Sequence, residues 1–98
     1  MIEQHIQDVL EQRQWTIIVN DMSPIARIES LIVLWKMYAD HMTVTLTIRE
    51  EDRQFKFYTD LGHWTGTDRV ASSKFLTLEA AIDHLVQEGD RLDAMYET

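Results

Sequence analysis

The sequence has no cysteine, one proline and three glycines in 98 residues, and each shortage excludes something. Without cysteine there is no disulfide, no thiolate nucleophile and no cysteine-ligated zinc or iron–sulfur centre. Small secreted domains commonly need such staples, so their absence points to a reducing, cytoplasmic setting. Gly62, Gly66 and Gly89 are too scattered to build a phosphate-cradling loop, and no Gly-x-Ser-x-Gly elbow occurs. With Pro24 as the only proline, chain breakers are scarce and long elements are expected. The longest unbroken apolar run, residues 31–35, is five residues, against the roughly 20 that a membrane span requires. The start, Met1-Ile2-Glu3-Gln4-His5, lacks the basic opening and apolar stretch of a signal peptide.

Positive charge is also in short supply. Nine Lys and Arg face 17 Asp and Glu, for a net charge of −8. Binding to nucleic acid or anionic lipid through phosphate needs clustered cations, so neither direct nucleic-acid binding nor membrane association is expected.

What is present is enough apolar residue, 45%, to fill the core of one domain spanning residues 1–98. Ile2, Ile6, Val9 and Leu10 share a helical face over residues 2–13, and residues 15–21 read as a short β-branched strand. Residues 24–39 fit two patterns. Ser23-Pro24 reads as a helix start, and Ile25, Ile28, Ile32, Trp35 and Ala39 follow at helical spacing, which favours a helix. Leu31, Val33, Trp35 and Met37 alternate, however, as a meander strand would. As a helix the segment is apolar nearly all round, and burying it on two sides would call for a homodimer.

Val44, Leu46 and Ile48 alternate with threonines and Arg49, a polar turn covers residues 50–53, and Phe55 and Phe57 return. The wet side of this hairpin, with Arg49, Lys56 and Tyr58, reads as a solvated, locally ion-paired face. Residues 59–68 read as a loop, residues 69–75 as a further strand. Thr77 caps a final helix with Leu78, Ala81, Ile82, Leu85 and Val86 on its apolar face and Gly89 at the C-cap position. The expected fold is α+β: a mainly antiparallel sheet of three to four strands with helices packed on one face, a two-layer sandwich.

Among His5, His41, His63 and His84 no His-x-x-x-His or His-Glu-x-x-His spacing occurs, so no metal or other cofactor is expected. Asp60, His63 and Asp68 place an imidazole and two carboxylates within one segment, which is the composition of a general base and its orienting partner. Asp and Gly also build turns, and Trp64 can tuck a loop onto the core or serve as an exposed anchor. From residue 79 onward six acids, Glu79, Asp83, Glu88, Asp90, Asp93 and Glu97, face one base, Arg91. Such a charge excess is an ordinary solvated helix face or a docking surface for a basic protein, where opposite potentials guide encounter. The expected function is a non-enzymatic interaction module, an adaptor or small inhibitor, that docks a basic partner protein through Glu79, Asp83, Glu88, Asp90 and Asp93, with Trp64 as anchor. Two alternatives stand beside it: a small enzyme or ligand-binding domain using Asp60, His63 and Asp68, and an inhibitor that mimics nucleic-acid phosphates.

Overall fold

The computed structural model describes residues 2–20 and 30–97. Along the chain run helix α1 (Gln4–Gln12), strands β1 (Thr16–Asn20) and β2 (Ser30–Met37), a single 3-10 turn (Ala39–His41), strands β3 (Thr43–Glu51), β4 (Gln54–His63) and β5 (Gly66–Phe75), and helix α2 (Leu78–Tyr96). The five strands form one antiparallel sheet in the order β1-β2-β3-β4-β5. Expected helix and strand types are met for α1, β1, the β3–β4 hairpin and α2. The sheet has five strands rather than three to four.

Register explains the core. Ile32, Ile48 and Phe57 stand opposite one another across β2, β3 and β4, and Leu34, Leu46 and Thr59 form the next row. All six are fully buried, and the five apolar ones join Ile2 and Leu10 at the first helix and Ala81, Ile82, Leu85 and Leu92 of α2 in one core. At about 25 cal/mol per Å² of apolar area removed from water, this shared burial is the main force holding helices to sheet.

The helix expected over residues 24–39 is corrected for its second half: residues 30–37 are a strand, and residues 24–29, with the Ser23-Pro24 start, lie outside the described residues. Ile32, Leu34 and Lys36 point into the core while Leu31, Val33 and Trp35 are only half-buried. β2 is flanked by β1 and β3, so its backbone groups are satisfied by two ladders, and a central strand tolerates apolar residues on both sides. The reason for a dimer through an all-apolar helix disappears with that helix. Met37, at the end of the alternating run, is exposed; Tyr38 takes the core position beside it.

Residues 59–68 are corrected too: the chain stays in strand conformation to His63, turns at Trp64-Thr65 and resumes at Gly66. The glycines there serve packing and turning. A Cβ at Gly62 would stand 2.3 Å from the Thr43 hydroxyl oxygen, and Gly66 has φ of +141°. At the β3–β4 connection Asp52 and Arg53 both have positive φ, 52° and 62°, the geometry of a two-residue turn matched to strand twist. α2 does not stop at Gly89; it runs through it, with Gly89 packed under Trp15.

Candidate functional site: an acidic groove between the helices

The N-terminal turn of α2 is fixed by Thr77, whose hydroxyl oxygen accepts a hydrogen bond from the Ala80 amide at 3.2 Å. Glu79 lies in that first turn, where a carboxylate suits the helix dipole, and Asp83 follows one turn on. Ile82, between them in sequence, packs into the core. From the other side comes Glu3, the extended residue at the N-cap of α1, with Ile6 one turn into that helix. Glu3, Ile6, Glu79, Ile82 and Asp83 together line a groove of about 290 Å³. Its apolar lining is two isoleucines and its polar lining three carboxylates. Among the described residues, no lysine or arginine pairs with any of the three.

The acids further along α2 are spent differently. Glu88 is nearly buried and accepts two hydrogen bonds from Arg91, one of them at 3.0 Å from Nε. This holds the Arg91 guanidinium above its ordinary range. Asp90 pairs with Arg13 just past the end of α1. Asp93 is drawn inward: its Oδ1 accepts from the Lys36 ammonium at 2.8 Å and from the Tyr38 hydroxyl at 2.6 Å. Glu97 also reaches Lys36, at 2.5 Å, and the ammonium makes a third contact with the Arg13 carbonyl oxygen at 2.6 Å. Lys36 is only 3% exposed and lies over the Trp15 and Tyr38 rings at 5.5 and 5.2 Å. Burial by itself would lower its pKa, but the hydrogen bonds and charges of Asp93 and Glu97 outweigh that and raise it. Burial and the Asp93 carboxylate together push the Tyr38 hydroxyl well above the ordinary phenol range.

The five acids expected to share one docking surface therefore divide. Glu79 and Asp83 stand in the groove, while Glu88, Asp90 and Asp93 are engaged by Arg91, Arg13 and Lys36. Glu3 and Ile6 were out of reach of sequence reasoning because nothing local says which part of α1 faces α2. Lys36 carried a usable signal, a lone base between Trp35 and Met37 in an apolar run.

Asp60, His63 and Asp68 do not converge. Asp60 accepts from Arg69 at 3.0 Å, and that guanidinium lies 4.0 Å over the Tyr58 ring. Asp68 stands opposite Leu61, one position along from Asp60, and so projects from the other side of the sheet. His63 instead lines a hollow of about 310 Å³ with His41, Thr43, Gly62, Trp64 and Thr67. Trp64 is 83% exposed and meets the His41 ring edge-on at 5.1 Å. Among the described residues, no carboxylate lines this hollow and no group of three or more metal-ligating side chains occurs. On the sheet side away from the core, Lys56 and Arg49 both pair with Glu51, at 2.8 and 3.4 Å. The Lys56 hydrogen bond holds the Glu51 carboxyl below its usual range.

No protein family, curated protein or solved structure matches this chain. No helix among the described residues is long and apolar enough to cross a membrane.

Proposed function

We propose that this chain is a non-enzymatic interaction module that captures a basic segment of a partner protein in the groove between α1 and α2. The observation that carries this reading is the groove itself: Ile6 and Ile82 offer an apolar seat, and Glu3, Glu79 and Asp83 border it with no cation paired to them among the described residues. A segment with one aliphatic side chain between lysines or arginines satisfies both features. The apolar contact supplies affinity, and the charges guide encounter and fix orientation. A nucleic-acid mimic is less well supported, because such a surface needs an unbroken row of free carboxylates and Glu88, Asp90 and Asp93 are paired. The hollow beside His63 fits a small ligand better than catalysis, because among the described residues no carboxylate accompanies its two imidazoles.

The test is binding of a fluorescent peptide carrying leucine flanked by arginines, measured across a salt series. Affinity should fall as salt rises. Glu79→Lys with Asp83→Lys should abolish binding and flatten the salt dependence, while Asp90→Lys should leave both nearly intact. Equal effects from the two sets of substitutions would remove the groove from consideration.

A further inference from the structure

β5 is one of the two edges of the sheet and the longer one: ten residues long, it is paired among the described residues only to β4. Such an edge presents a row of unpaired backbone groups, and natural proteins usually blunt or cover it. Here it carries exposed apolar side chains. Val70 is 52% exposed at its middle, with Trp64 just before the strand and Leu76, 80% exposed, just after it. The two flanking residues are each six positions from Val70.

Val70 is also a bulge. Asp60 of β4 stands opposite Arg69 and Thr59 opposite Ala71, so β5 has one extra residue at this point. A bulge inverts the alternation of side chains along a strand. Before it, Thr67 and Arg69 lie on the side away from the core and Asp68 on the core side; after it, Ser72 and Lys74 lie away from the core and Ala71, Ser73 and Phe75 on the core side. A second strand laid along the whole edge must carry the same inversion at the same place. The natural match is this strand itself, run antiparallel.

We propose that two copies of this chain pair through β5, antiparallel, about a two-fold axis between Val70 and Ala71. In that register Thr67 faces Lys74 of the second copy, Asp68 faces Ser73, Arg69 faces Ser72 and Gly66 faces Phe75, each pair on one side of the sheet. No like charges stand directly opposite, and an aromatic ring covers the edge glycine, a favourable cross-strand arrangement. Trp64 of each copy arrives beside Leu76 of the other, and Val70 lies at the axis, so the three exposed apolar residues of this edge are gathered at one self-complementary contact. The two five-stranded sheets become one of ten strands with both helix layers on the same side.

The experiment is sedimentation equilibrium of the full chain and two variants at an exposed position, Thr67→Glu and Thr67→Lys. The unmodified chain should dimerise reversibly. Thr67→Glu, which sets a carboxylate against Lys74 twice per dimer, should tighten dimerisation about fivefold, and Thr67→Lys should weaken it about fivefold. The gain with glutamate cannot come from misfolding. A monomer persisting at about 0.5 mM, or a dimer indifferent to both substitutions, overturns the proposal.

Discussion

In the first half of α2, Glu79 and Asp83 border a groove and meet no base among the described residues; in the second half, Glu88, Asp90, Asp93 and Glu97 are tied to Arg91, Arg13 and Lys36. Both halves carry acids, but the second also carries its own base, Arg91, and the two differ further in what faces them. Opposite the first half lies the N-terminus of α1, which brings another acid, Glu3. Opposite the second lie the end of α1 and the end of β2, which bring Arg13 and Lys36. Acid density alone thus does not identify a docking surface. A carboxylate is available to a partner only where the neighbouring element leaves it without a cation, and the acids of pairs such as Lys36–Asp93 are already engaged inside the fold.

That contrast can be broken most forcefully at Asp93. Asp93→Ala leaves the buried Lys36 ammonium with only the more exposed Glu97 and the Arg13 carbonyl, takes the acceptor from the Tyr38 hydroxyl, and should cost about 2 kcal/mol in urea unfolding. Adding Lys36→Met should return most of it, because an apolar chain of similar length then fills the same space. A loss below about 0.5 kcal/mol for Asp93→Ala would mean that the second half of α2 is as loosely held as a surface ion pair.

Alkaline pH attacks the same cluster. Tyr38 and Lys36 hold their protons in the folded chain above their ordinary values of 10.0 and 10.5. The unfolded chain releases those protons first, so this contribution is complete below about pH 10 and declines as the pH rises beyond it. Thermal melting between about pH 8 and 11 should show stability dropping above pH 10. Tyr38→Phe should make that drop shallower, and an unchanged slope would count against the cluster as its source.

Gly89, at the junction of the two halves, offers a smaller sharpening. A Cβ there would sit 3.5 Å from the Trp15 indole nitrogen, an ordinary contact. Gly89→Ala should raise stability by about 0.5–1 kcal/mol through the lower entropy of the unfolded chain. Destabilisation would show that Trp15 has no room to give. Smallest of all should be Glu79→Gln with Asp83→Asn, within about 0.5 kcal/mol of the parent, because neither acid has a charged partner among the described residues. A larger loss would make them structural and the groove incidental.

The β3–β4 hairpin was legible from sequence because the period-two pattern at Val44, Leu46 and Ile48 has no competing interpretation. Residues 30–37 were not, because Ile32, Leu34 and Trp35 satisfy helix and central strand alike until neighbours on both sides are known. The segment with Gly62 and Gly66 looked like a loop by composition. Yet Gly62 is there for close approach to Thr43, and only Gly66 serves the turn. The candidate groove was half legible: Glu79 and Asp83 follow from helical spacing, whereas Glu3 joins them only through the packing of α1 against α2.

By itself, the sequence determined the α+β class, the residues of the hairpin core and the cap at Thr77, all consequences of spacing and local hydrogen bonding. Tertiary structure decided which charges are spoken for. A carboxylate's state depends on what stands within a few ångströms of it, and for Asp93 that is Lys36 and Tyr38, more than fifty residues away along the chain.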